Sequence, residues 1–143
     1  MSQGQALPTP TTPDRPGDAA GWSGERQLWW RDFDSLGHVT ASSYCVIYHD
    51  VFGDFMEEKW GPGASYVVRR ISIDHVREII RSDGPVRVRV EVTDVGRSSL
   101  RASMVMSTGT GVVASTAEGV YVAWDGERRG SRPITDAERR ALG

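Results

Sequence analysis

The strongest constraint on this chain is one apolar stripe between residues 42 and 60. Tyr44, Ile47, Tyr48, Val51, Phe52 and Phe55 fall at i, i+3, i+4, i+7, i+8 and i+11, which is one face of an α-helix. Thr40, Ser42 or Ser43 can cap its start, and Gly61-Pro62-Gly63 stops it. From Ser42 to Trp60 such a helix runs about 28 Å at ~1.5 Å per residue. Gly53 inside it costs about 1 kcal/mol relative to alanine, and the apolar stripe outweighs that. A long helix with one apolar face needs a second layer to cover it.

Strand signals supply that layer. Leu28 to Phe33 reads as a short strand, broken by Asp34-Ser35-Leu36-Gly37. Tyr66 to Ile73 is β-branched and basic, and residues 74–81 either extend it or form a helical turn. After the turn signal Ser82-Asp83-Gly84-Pro85, Val86 to Val92 alternates apolar and charged with period 2. Asp94 to Arg97 turns, Leu100 to Met106 is a further strand, Thr108 to Gly111 is a hairpin loop, and Val112 to Trp124 is a long last strand. Thr135-Asp136-Ala137-Glu138 begins one short helical turn. One strand, one long helix and four strands predict an α+β fold, a largely antiparallel sheet wrapping the helix.

With 143 residues, 38% hydrophobic and 25% charged, the chain suits one soluble domain. Residues 1–24, rich in Pro, Thr, Gly, Ser and Asp, read as a disordered tail. The domain spans residues 25–133, and 134–143 form a C-terminal tail. A net charge of −2 argues against nucleic acid or a membrane surface as partner. Lys59 is the only lysine, so an anion site must use arginine or backbone amides. Cys45 stands alone, which excludes an intrachain disulfide and fits a reducing, cytoplasmic setting. No apolar run approaches the ~20 residues of a membrane span, and the N-terminus lacks the pattern of a secretory signal.

The chemistry concentrates between Arg31 and Tyr44. An acidic pair, Asp32 and Asp34, leaves a strand, Gly37 turns the chain, and the helix begins. A carboxylate thereby lies close to the positive end of a helix, whose N–H groups can polarise a carbonyl. Asp34 there can act as general base or nucleophile, or simply cap the turn. Asp32 reads as a structural or solvated acid. His38, His49 and His75 share no metal-ligand spacing, so no metal is expected. Cys45 reads as a packed thiol.

The run Asp32-x-Asp34-x-x-Gly37-His38-Val39-x-x-x-x-Tyr44 resembles the hotdog-fold acyl-CoA thioesterases of the 4-hydroxybenzoyl-CoA thioesterase type. The segment Val86 to Ser99 and the small-residue start of the last strand, Ala114 to Ala117, are similar to that family in the same order. The resemblance covers roughly Gln27 to Pro133. It implies a hotdog domain that hydrolyses an acyl-CoA or acyl-carrier-protein thioester without a cofactor. Asp34 is then the catalytic carboxylate, and Gly37 lies where amides around Gly37 to Val39 polarise the carbonyl. His38 and Tyr44 match family positions, and Val39 and Tyr44 line the substrate. The resemblance further implies a homodimer, with further pairing into a tetramer, and sites at the dimer interface.

Two departures bear on substrate identity. Thr40-Ala41 replaces a common Asn-Asn pair, and His49-Asp50-Val51-Phe52 stands where many members carry an acid followed by Ala-Arg. Arg97, Ser98 and Ser99 either form a solvated bend or contact coenzyme A phosphates, for which arginine forks and hydroxyls are apt. Arg69, Arg70, Arg128 and Arg129 are weaker candidates. A non-catalytic acyl-ligand binder is the alternative function. A hydratase is a third reading, which the position of Gly37-His38-Val39 at the helix start disfavours.

Overall fold

In a computed structural model, which describes residues 21–143, the long helix α1 runs Ala41–Trp60. The hydroxyl of Thr40 accepts from the Ser43 N–H and caps it, and Gly61, at φ 91°, ends it. Every residue of the apolar stripe is buried, together with Ser43 and Met56. The sheet that wraps α1 has five main strands: β1 (Trp22–Arg26), β2 (Tyr66–His75), β3 (Val86–Val95), β4 (Ser99–Ser107) and β5 (Val113–Asp125). A two-residue β6 (Gly130–Ser131) pairs with the end of β5. The order is β1-β3-β4-β5-β2, antiparallel throughout. Irregularities at Arg69, Thr93 and after Met106 interrupt the ladders and help the strands curl. The result is a curled half-barrel around one helix. Among the described residues, no helix is long and apolar enough to cross a membrane.

Packing explains why β5 lies beside the helix. Its inward residues Ser115, Ala117, Gly119 and Ala123 are small, and Tyr121 reaches across to stack on Phe52, with centroids 3.7 Å apart. The Tyr121 ring lies over Gly119, where an added Cβ would meet it at 2.5 Å. The Tyr48 hydroxyl is tied to Ser115. Inward residues of β3 and β4, among them Val88, Leu100 and Met104, complete the core.

The start of the domain differs from the sequence expectation. Leu28 to Phe33 is not a strand: Trp30–Asp32 is a 3-10 turn, and only Phe33 bridges, to Val39. The Asp32 carboxylate accepts the Trp29 N–H at 2.7 Å and closes the turn, a local bond that competes with a ladder. The first strand is instead β1, beginning at Trp22, ahead of Glu25. Its sequence, Trp-Ser-Gly-Glu-Arg, is a weak strand former, but α1 holds it. Trp22 packs edge-on against Phe55 and donates to Glu58 at 3.0 Å, and Arg26 pairs with Asp54. The rest of the expected tail, residues 1–20, lies outside the described residues.

The C-terminus also differs. Ile134 is buried, and α2 (Asp136–Ala141) packs on α1 rather than trailing as a tail. Trp60 donates to the Glu138 carbonyl, and Arg132 forms a two-pronged pair with the Glu138 carboxylate at 2.8 Å.

Candidate active site

The turn between residues 33 and 40 is built around Asp34. Its Oδ1 accepts the N–H of Leu36 at 2.9 Å and of His38 at 3.0 Å, and its own N–H donates to the His38 carbonyl at 2.8 Å. Gly37 takes φ 80°, a conformation glycine adopts without strain. The His38 amide, foremost, holds the Asp34 carboxyl below the usual carboxylate range. No described residue bonds to Oδ2. Asp32 has a different role: it accepts from Trp29 and from the Ser43 hydroxyl at 3.0 Å, joining the turn to the first turn of α1.

Asp34 lies on a cleft of about 350 Å³ at the N-terminal end of α1. His38, Val39, Ala41 and Tyr44 line it from the turn and helix. His75 from β2 and Val76, Arg77 and Glu78 from the following segment line it opposite. Tyr44 is almost fully buried, and its ring meets His75 edge-on, centroids 4.6 Å apart. Burial, and after it the charges of Asp83 and Glu78, push the Tyr44 phenol up. His38 Nε2 lies 2.8 Å from Glu78 Oε1. A second cleft, of about 290 Å³, lies along α1 beside Asp50, Asp54 and Glu57; its acidic wall is the less suited to a phosphate-bearing ligand.

The amides predicted to polarise a carbonyl require a correction. Gly37 N–H donates to the Asp34 carbonyl, His38 N–H to Asp34 Oδ1 and Val39 N–H to the Ile79 carbonyl. Those three donors are spent on the turn. Ala41 and Ser42, the first two residues of α1, have N–H groups with no partner among the described residues, as helix geometry requires, and Ala41 lines the cleft.

The cleft unites Asp34, His38, Val39 and Tyr44, with Gly37 in the turn beside them. It does not include Arg97, Ser98 or Ser99. Those follow β3, where the Arg97 and Ser98 carbonyls accept from Ile134 and Ala123, and Arg139 clamps the Gly96 carbonyl at 3.1 Å. Ser99 pairs with Val122 and His75 with Ser115, a separation of roughly 23 Å along β5. Of the weaker arginines none lines the cleft, and Arg128 is held by Asp125. Cys45 is exposed rather than packed. His75, Arg77 and Glu78 carried no signal in the sequence, because they sit where the strand pattern fades. Among the described residues, no three His, Cys, Asp or Glu side chains are grouped to hold a metal.

Solved structures share the architecture. A thioesterase from Thermus thermophilus, complexed with coenzyme A and Zn, matches with a TM-score of 0.76 and 27% identity over 84% of this chain and 95% of that one. A 1,4-dihydroxy-2-naphthoyl-CoA thioesterase from Synechocystis matches at 0.73 and 15%, covering 86% and 96%. A Staphylococcus aureus protein in complex with CoA matches at 0.73 and 16%, covering 84% and 80%. No curated protein sequence matches the chain significantly. This is the hotdog thioesterase fold. Residues 28–142, well over half the chain, match the model of one family, and the chain belongs to that family, the thioesterase-like superfamily.

Proposed function

We propose that this protein hydrolyses an acyl-CoA thioester, as an enzyme of the 4-hydroxybenzoyl-CoA thioesterase type, with Asp34 as the catalytic carboxylate. One observation carries the reading. Asp34 faces the cleft at the electropositive end of α1 with Oδ1 pinned by two amides and Oδ2 unpartnered. The pinned oxygen fixes the orientation, and the other oxygen is left for chemistry. The thioester carbonyl lies against the Ala41 and Ser42 amides, which stabilise the charge that grows on its oxygen. Asp34 takes a proton from water as the water oxygen bonds to the carbonyl carbon, or attacks that carbon itself to give a mixed anhydride. The thiolate then leaves. A thioester is already activated, so this modest machinery suffices.

The site is completed by a second copy in this reading. β2 is an open edge whose inward face is poorly covered: Val68 is 46% exposed, and Ile71 and Ile73 are half-buried. Pairing two such edges covers that face. It also offers a way for Arg97, Ser98 and Ser99 of one copy to approach the other's cleft.

The test is release of free thiol from a panel of acyl-CoAs. Asp34→Asn keeps an oxygen for both turn amides, so the fold survives, and kcat should fall by ~10² or more with KM little changed. Equal rates for Asp34→Asn and the natural protein overturn the assignment. The spent amides of Gly37 to Val39 favour one rival, an acyl-ligand binder without turnover. Thermal stabilisation by acyl-CoA with no thiol released supports that rival.

A further inference from the structure

His38 has no assigned task in the reaction just described, yet its position is tightly determined. Its N–H and C=O are both bonded to Asp34, and it bridges to Ile80. That pairing, with Val39 N–H on the Ile79 carbonyl at 3.0 Å, carries residues 78–80 alongside the turn. It sets the Glu78 carboxylate 2.8 Å from His38 Nε2. With Nε2 occupied, Nδ1 is the ring nitrogen left to exchange a proton.

The other titratable and charged groups on the cleft are Asp34, Tyr44, His75, Arg77 and Glu78. Asp34 is held as an anion. Tyr44 is buried, its phenol pushed up, and His75 packs edge-on against it. Arg77 stays charged. Glu78 itself is bonded to the imidazole.

Resting on the thioesterase reading, we propose that Glu78 is a positioning residue. It holds His38 by Nε2 so that His38 Nδ1–H delivers the proton to the departing sulfur. The step balances. Water oxygen bonds to the carbonyl carbon while one water proton goes to Asp34. The tetrahedral adduct collapses, the C–S bond breaks, and sulfur keeps the electron pair and takes the Nδ1 proton. The carboxylic acid formed returns its proton to the imidazole, and Asp34 loses its own to solvent. The step uses both ring nitrogens at once, Nε2–H held by the Glu78 carboxylate and Nδ1–H directed to sulfur.

The experiment compares two thioesters of one acid, the acyl group turned over fastest in the panel above: its CoA ester and its S-(4-nitrophenyl) ester. The nitrothiophenolate departs without a proton, whereas the alkyl thiolate of CoA profits from one. Glu78 is half-exposed, so Glu78→Gln keeps the fold, which a thermal melt checks. Glu78→Gln should cut kcat on the CoA ester by at least about tenfold, and distinctly less on the aryl ester. His38→Ala should show the same selectivity, and His38→Ala with Glu78→Gln should be no slower than His38→Ala alone. An undiminished rate for Glu78→Gln on the CoA ester, equal losses on both esters, or a further loss in the double variant overturns the inference. Asp34→Asn separates the two readings, because loss of the base slows both esters alike. If Asp34→Asn hydrolyses both as fast as the natural protein, the base assignment itself falls.

Discussion

Asp34 engages its surroundings differently through its two carboxylate oxygens. Oδ1 closes the turn and Oδ2 has no partner among the described residues, so capping and the proposed catalysis are compatible roles. The same amide bonds set a pH consequence. They lower the carboxyl below its ordinary value, most through His38, so the group stays ionised in mild acid. Its contribution to stability is present above the unfolded value of 3.8 and is lost as pH falls through the lower folded value. A base that must be ionised follows the same order. The kcat/KM profile should therefore show no loss attributable to Asp34 between neutrality and about pH 5, its acid limb lying below the usual carboxylate range. A limb above that range in a steady-state pH series would show that another group limits the reaction.

At the scale of elements, α1 and β5 are matched through two tyrosines with opposite needs. Tyr48 OH is satisfied by Ser115. Tyr121 OH is buried with no partner among the described residues, and burial drives its phenol far up. Removing an unpartnered hydroxyl costs nothing in hydrogen bonding, whereas removing a bonded one strands its mate. Tyr121→Phe should leave the melting temperature unchanged or raised, and Tyr48→Phe should cost about 1–2 kcal/mol; chemical denaturation of both variants checks the contrast. Among the elements, α1 was the most legible in the sequence because its stripe repeats for three turns between a cap and a glycine stop. β1 was not, since Ser23 and Gly24 have little strand preference, and pairing with Arg89 and Val88 of β3 holds them extended. Leu28 to Phe33 erred oppositely: its aromatic residues suggest a strand, and the Asp32 carboxylate bends it into a turn.

For the whole molecule, the uncovered side of β2 governs assembly in the proposed function. A charge on its inward face should oppose pairing. Val68→Glu should move the protein from dimer to monomer on size-exclusion chromatography with light scattering, and acyl-CoA turnover should fall with it. A dimer of unchanged size and activity would place the interface elsewhere. Because Val68 is already 46% exposed in the single chain, the substitution loads the interface more than the core.

Local rules read from the residues alone settled the helix, the four following strands and the Asp34 turn, and narrowed the helix cap to Thr40, Ser42 or Ser43, of which the structure uses Thr40. Each is written in neighbours a few positions apart, through periodicity, hydroxyl caps and glycine turns. The cleft's far wall was decided by tertiary pairing. His38 and Glu78 lie 40 positions apart in the sequence and meet because residues 79–80 pair beside the turn. The spent amides of Gly37 to Val39 were equally hidden. Hydrogen-bond donors are assigned only when the chain has closed on itself, and periodicity carries no record of which partner each N–H finds.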